Sequence, residues 1–236
     1  RVDTPLEEVA QIIEKYDLVA LPVVDGIGRL EGIITVDDVM DEIREQAEKD
    51  YQLASGLSQD VETDDNLFKQ TRARLPWPRI GMIGGMGNSV LIEGFSSTLT
   101  TEMSYYIPLI GGTGGNVGTQ SSALVVQGLA NSSLNSKETL KQVTRESVVA
   151  LVNATIISML VYIFNFFRFG PTAVITYSVS LSLFSVVMFA SIFGTVVPMT
   201  LERLKIDPAI ATGPFISITN DIVGMMFYLF LTRLLS

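Results

Sequence analysis

"GPFISITNDIVGMMFYLFLTRLLS", residues 213–236, is apolar over a length that can cross a bilayer, yet it carries one carboxylate, Asp221, near its middle. About 20 apolar residues span the hydrocarbon core as a helix, and an ionised carboxylate at the centre of such a helix costs at least ~3 kcal/mol. No Lys or Arg falls within the apolar cores of this or the other hydrophobic segments, so no internal salt bridge compensates it. Three solutions remain: the acid is protonated, it faces water, or it meets a cation supplied by solution. Acids at membrane depth are mostly functional, which favours the last two.

Working outward, two further segments are long and oily enough to span, 148–167 and 173–199, with the closing one covering roughly 209–231. Two weaker segments precede them. "IGMIGGMGNSVLIEGF" (80–95) is glycine-rich, and its Gly81 and Gly85 form a small-xxx-small spacing that permits close helix contact. "MSYYIPLIGGTGGNVGTQSSALVVQGLA" (103–130) reads as a segment interrupted by glycine and polar residues, a broken backbone of the kind tolerated only beside protein or water. Five crossings with a cytoplasmic N-terminus place nine basic residues inside (Lys69, Arg72, Arg74, Arg79, Lys137, Lys141, Arg145, Arg203, Lys205) and two outside (Arg168, Arg233), as the positive-inside rule requires.

Residues 1–78 differ in character: they hold eighteen acids against eight bases, so the front third carries the whole net charge of -9. An acidic surface argues against nucleic acid as a partner and for cations. With neither cysteine nor histidine in the chain, disulfides, ordinary zinc sites and Cys- or His-based catalysis are excluded, and any metal must be held by oxygen, which suits Mg2+, Ca2+ or Mn2+. "TPLEEVAQIIEKYD" (4–17) reads as a helix capped by Thr4, "LVALPVVD" (18–25) and "LEGIIT" (30–35) as strands, and "VDDVMDEIREQAEKD" (36–50) as an acidic helix. The chain opens like the middle of a domain, so upstream residues are expected. Fifty residues bury too little surface for much independent stability, so this unit is expected to pair with another. A polar connector follows, whose second half delivers Lys69, Arg72, Arg74 and Arg79 to a membrane surface with Trp77 as interfacial anchor.

Gly213, Ser217 and Asp221 stand four apart, on one helical face, and offer a carbonyl, a hydroxyl and a carboxylate. Ser217 could equally back-bond within its own helix. One carboxylate poorly matches a divalent ion that sheds water reluctantly; a homodimer with its axis beside this helix would supply two. Asn116 and Gln120, also four apart, either line the same path or join helices together.

Two resemblances follow from these stretches. "LPVVD" (21–25) and "GIITVDD" (32–38) resemble a CBS domain, the second of the usual pair, and Gly32, Thr35 and Asp38 match its nucleotide pattern; this implies an ATP- or other adenine-nucleotide site, although helix capping alone would also account for Thr35. "PLIGGTGGNVGTQSSALVVQGLA" (108–130) and "IDPAIATGPFISITNDIVGMMFYL" (206–229) look like the second and fifth transmembrane segments of the MgtE family of magnesium channels. The resemblance implies an α-helical membrane protein: a cytosolic CBS domain over 1–55, a connecting helix over 56–78, and five membrane helices over 79–236. It implies further a homodimeric Mg2+ channel of the cell membrane, with Asp221 on the pore aspartate and Gly213 and Ser217 on neighbouring filter positions. Glu7, Asp17, Asp38 and Asp41 fall on acidic positions of the family's magnesium sensor, and Asp50 is counted with them; solvated helix acids are the competing reading of each. The family's N-terminal helical domain and first CBS domain have no counterpart in these 236 residues.

Two rival functions stand beside the channel. A proton- or sodium-coupled carrier would use Asp221 for its coupling ion and the broken second segment for substrate. An intramembrane aspartic protease needs two acids in one site, whereas Glu93 and Glu102 fall in a predicted outside loop.

Overall fold

The computed structural model describes residues 1–130 and 136–236, apart from the side chains of Glu7, Ala130 and 136–140; the sensor position Glu7 and the flanking Lys137 thus lie outside what is described of side chains. The chain divides into two compact units, Arg1–Tyr51 and Gln52–Ser236.

The first unit runs α1 (Leu6–Tyr16), β1 (Ala20–Val24), β2 (Leu30–Thr35) and most of α2 (Val36–Ala54), the order expected from the sequence. β1 and β2 pair antiparallel with Val23 opposite Gly32. Their loop is set by Asp25, whose Oδ1 accepts from the amides of Ile27 and Arg29 at 2.9 and 2.8 Å. Ile13 and Val39 form the small core, while Val19, Leu30, Ile33, Met40 and Ile43 remain exposed. One expectation fails here. Thr4 does not cap α1: Pro5 occupies the N-cap, its carbonyl takes the first amides of the helix, and the Thr4 hydroxyl accepts from the Arg1 amino group instead.

The second unit is helical: α3 (Leu67–Arg74), α4 (Pro76–Gly94), α5 (Thr101–Ser104), α6 (Ile107–Ala130), α7 (Ser136–Phe169), α8 (Val174–Arg203), a 3-10 turn (Pro208–Ala211) and α9 (Pro214–Leu235). Among the described residues, three helical stretches are long and apolar enough to cross a membrane, Lys141–Phe169, Val174–Arg203 and Pro208–Leu235. α8 is the hub, packed on α6, α7 and α9, with Val179, Leu183, Val186, Val187 and Ala190 buried along it. α7 lies outermost and exposes Val148, Val152, Ile156, Met159, Ile163 and Phe167 in rows three and four residues apart, a face suited to lipid.

Side-chain pairs fix the helix directions. Along α7, Glu146 meets Ser121 and Ser191, Ser158 meets the Ser180 carbonyl, and Asn165 meets the Tyr106 hydroxyl, so α7 runs antiparallel to both α6 and α8. α4 and α9 run side by side in one direction, with Trp77 against Phe215, Gly84 against Ile222, and the Arg233 guanidinium over the Phe95 ring.

Three sequence expectations are corrected in this unit. α6 is one continuous helix of 24 residues. Its glycines do not break it, because each backbone group still finds its partner four residues away, and their missing side chains admit neighbouring helices: a Cβ on Gly114 would stand 2.8 Å from Val186, and one on Gly118 2.6 Å from Ile216. The close pair on α4 is Gly81 with Gly84, which meet Ile218 and Ile222; Gly85 faces open space, since an offset of three rather than four follows the line where α4 crosses α9. Trp77 is half-buried on Phe215, in an edge-on contact with centroids 6.4 Å apart, rather than standing free as an interfacial anchor. Lys69 is likewise engaged, 2.7 Å from Asp65.

Candidate cation site

Asp221 is the eighth residue of α9 and is half-buried. It faces α6, where a Cβ on Gly111 would stand 3.2 Å from its Oδ1; one turn earlier Ser217 faces Gly115, whose Cβ would stand 2.7 Å from the Ser217 hydroxyl. A strip of two glycines thus lies against a strip bearing a hydroxyl and a carboxylate. Among the described residues neither polar group has a hydrogen-bond or ion-pair partner. Ser217 does not back-bond into its helix, in contrast to Thr219, whose hydroxyl donates to the Phe215 carbonyl at 2.9 Å. Two adjoining groups able to take a donor or a cation are left facing the glycine strip of α6.

Gly213 sits just before α9 rather than on its face. It adopts φ 49° and ψ -119°, and a Cβ there would lie 2.2 Å from the Ala54 carbonyl oxygen, so only glycine fits. Its carbonyl accepts from the Ser217 amide at 3.0 Å, which leaves one lone pair for a ligand and differs from the free carbonyl expected. Asn116 and Gln120 are exposed on α6, on a face turned away from the Gly111–Gly115 strip that meets α9. Within one chain they do not join Asp221.

Sequence reading missed two buried polar features. Asn220, only 1 % exposed, packs its amide on Gly118 and its Cβ on Gly114, and neither its side-chain oxygen nor its nitrogen has a protein partner. Glu146 is buried on α7 where a membrane-flanking loop was expected, and accepts from Ser121 and Ser191.

In the first unit, the structure brings Thr35 and Asp38 together as a reciprocal capping box. The Thr35 amide and hydroxyl donate to Asp38 Oδ2 at 2.8 and 2.6 Å, and the Asp38 amide donates to Thr35 Oγ1 at 3.3 Å. The hydroxyl bond first, and the amide bond after it, hold the exposed Asp38 carboxyl below the ordinary aspartate range. A depressed folded pKa contributes stability above the unfolded value, and that contribution is lost as pH falls from about 4 through the folded pKa. Replacing Thr35 by Val is therefore expected to raise the Asp38 midpoint in a carboxyl NMR titration; an unmoved midpoint would remove the hydroxyl as its cause. Gly32, three residues upstream on β2, faces open space. The remaining sensor positions are dispersed: Asp17 ends α1 in the left-handed region at φ 49°, Asp41 is exposed on α2, and Asp50 accepts from Gln46 at 2.7 Å. Among the described residues no three acids converge to hold a metal ion.

Bilayer-length helices, one of them carrying a partnerless acid, and a small α/β unit define the chain as a helical membrane protein with an α/β segment at its N-terminal side. Residues 107–231 match the MgtE divalent cation transporter family and residues 1–45 the CBS domain. The chain belongs to the MgtE family. It is 35% identical over 243 residues to the "Magnesium transporter MgtE" of Thermus thermophilus, with all of this chain and 53% of that protein covered. It is 34% identical over 224 residues to the protein of the same name in Bacillus subtilis (94% of this chain, 49% of the relative), and 31% identical to that of Enterococcus faecalis over the same shares. The chain thus spans about half the length of the curated relatives it matches.

Proposed function

We propose that this chain forms the ion path and part of the regulatory unit of a homodimeric, magnesium-selective channel that carries Mg2+ into the cytoplasm. The observation that carries the reading is the partnerless pair of Asp221 and Ser217 in the first half of α9, a helix of bilayer length. A hydrated divalent cation satisfies both: the carboxylate and hydroxyl accept from its water shell, and a second copy doubles the charge. The exposed amides of Asn116 and Gln120 support the dimer, because side chains of that polarity are stable at membrane depth against protein or water, not lipid. Helix directions support five crossings with α4 and α6 as the glycine-rich members, since α4, α7 and α9 run one way and α6 and α8 the other. With the basic flanks inside, the N-terminal unit is cytoplasmic.

The coupled-carrier reading drew on a broken second segment; α6 is unbroken, which favours the channel. In the cytosolic unit, the acids Glu7, Asp17, Asp38, Asp41 and Asp50 repel across an interface with a second unit, and Mg2+ between them lowers that repulsion and favours a closed state. The exposed Leu30, Ile33 and Met40 supply an apolar surface for that pairing. An adenine nucleotide at Gly32, Thr35 and Asp38 would draw Asp38 away from Thr35 toward ribose hydroxyls.

Purified protein in liposomes with a trapped magnesium dye tests both parts. Mg2+ entry is expected under a Mg2+ gradient and membrane potential alone, without a proton or sodium gradient, and to slow as internal Mg2+ rises. Neutralising Asp38 and Asp41 together is expected to weaken that slowing. Entry that requires a proton or sodium gradient would establish the carrier instead.

A further inference from the structure

Glu146 lies in α7 at the point where α6, α7 and α8 meet, and its Oε1 accepts from Ser121 of α6 at 2.7 Å and from Ser191 of α8 at 2.8 Å, while the two hydroxyls stand 2.9 Å apart. All three residues are buried. Packing alone would be served as well by apolar groups of similar volume, because removing a carboxylate from water is expensive. A carboxylate that takes two directed hydroxyl bonds adds what a hydrophobe lacks, a fixed register between the helices it joins.

That register reaches the cation site by a continuous route. Ser122, the next residue of α6, donates to the Ala211 carbonyl at 3.0 Å and so ties α6 to the 3-10 turn that launches α9. Beyond it Gly118 meets Ile216 and Asn220, Gly115 meets Ser217 and Gly111 meets Asp221, one antiparallel seam of four contacts. In this seam the glycines are notches that Ile216, Asn220 and Ser217 of α9 fill, and the serine bonds add direction to that fit. Directed bonds hold both ends of the seam: the serines at one, and at the other Tyr228 of α9, which donates to the Met103 carbonyl at 2.7 Å, with Tyr106 donating to Asn165 of α7.

We propose that Glu146 is a positioning residue for the cation path: through Ser121 and Ser191 it fixes α6 in register against α7 and α8, and so holds the neighbouring Ser122–Ala211 tie to the turn before α9 and the separation of the Gly111–Gly115 strip from Ser217 and Asp221. The inference builds on the channel reading for its functional meaning, but its structural content can be read without transport.

The chain has no cysteine, which permits a clean cross-link. The Cβ position of residue 115 stands 3.7 Å from that of Ser217, within the usual disulfide separation. The full chain carrying Gly115→Cys and Ser217→Cys is expected to close this bond rapidly with mild oxidant. Adding Glu146→Ala is expected to slow closure about tenfold, whereas Glu146→Gln, whose amide oxygen still accepts both hydroxyls, restores it to within about twofold. Ser121→Ala and Ser191→Ala each remove one pin and carry the test if Glu146→Ala fails to fold; both are expected to slow closure. Unchanged closure in Glu146→Ala protein that elutes like its parent, or in both serine variants, overturns the proposal, as does a Gln variant as slow as the Ala variant. With native Gly115 and Ser217, Glu146→Ala is further expected to lower the ratio of Mg2+ to Ca2+ flux. Failure of the channel reading appears separately, as Mg2+ flux indifferent to Asp221, and leaves the cross-linking result standing.

Discussion

Asp221→Asn is expected to cut selective Mg2+ flux by about a hundredfold while the protein still folds and elutes as its parent does. A divalent ion about 5 Å from a carboxylate, through one water, gains roughly 7 kcal/mol at an effective dielectric near 20 before desolvation is counted. Retaining about 3 kcal/mol of that is enough for a hundredfold effect. The amide keeps the shape and one acceptor oxygen but no charge, and nothing in the structure depends on the charge for packing, because no described residue pairs with it. The measurement is dye-reported Mg2+ entry in liposomes for parent and variant under one imposed potential. Equal flux and equal preference over Ca2+ would remove Asp221 from the ion path and with it the proposed function.

Gly194→Ala is expected to lower stability markedly. A Cβ on Gly194 would lie 2.3 Å from the Gly118 carbonyl oxygen and 3.2 Å from its Cα. Those are backbone atoms, which no rotamer change can move aside, so α8 and α6 have to separate along their contact. Overpacking of this kind costs about 1–3 kcal/mol, which corresponds to a melting temperature lower by roughly 2–12 °C for a chain of this size. Gly85→Ala is the control, since nothing lies within 4 Å of its Cβ position and the substitution favours helix. Equal melting of the two variants would mean that α6 and α8 do not approach so closely.

The α/β order of the first unit was legible because its two periodicities change where Asp25–Arg29 and Thr35 punctuate them. The three long helices were legible from apolar length alone, and Asp221 from its place within one of them. α6 was misread for a definite reason. Glycine is the poorest helix former in water apart from proline, so "GGTGGNVG" (111–118) looks like a break, whereas between packed helices the same residues are selected for lacking a side chain. Glu146 was hidden by its neighbours: beside Lys141 and Arg145 it reads as one more flanking charge, and only the folded chain shows Ser121 and Ser191 turned toward it. Asn116 and Gln120 were found as polar residues, but their outward orientation depends on which side of α6 the glycines occupy.

The glycine seam between α6 and α9 has a mechanical consequence. Surfaces that interlock through side chains move past one another in jumps of a whole turn, because each knob must leave one hole before it finds the next. Here the knobs all stand on α9: Ile216 and Asn220 sit in the notch of Gly118 and Ser217 in that of Gly115, so α6 shifts along α9 only by leaving those notches. The spacing beside Asp221 is therefore held at a discrete setting, latched at one end by Ser122 on Ala211 and at the other by Tyr228 on Met103.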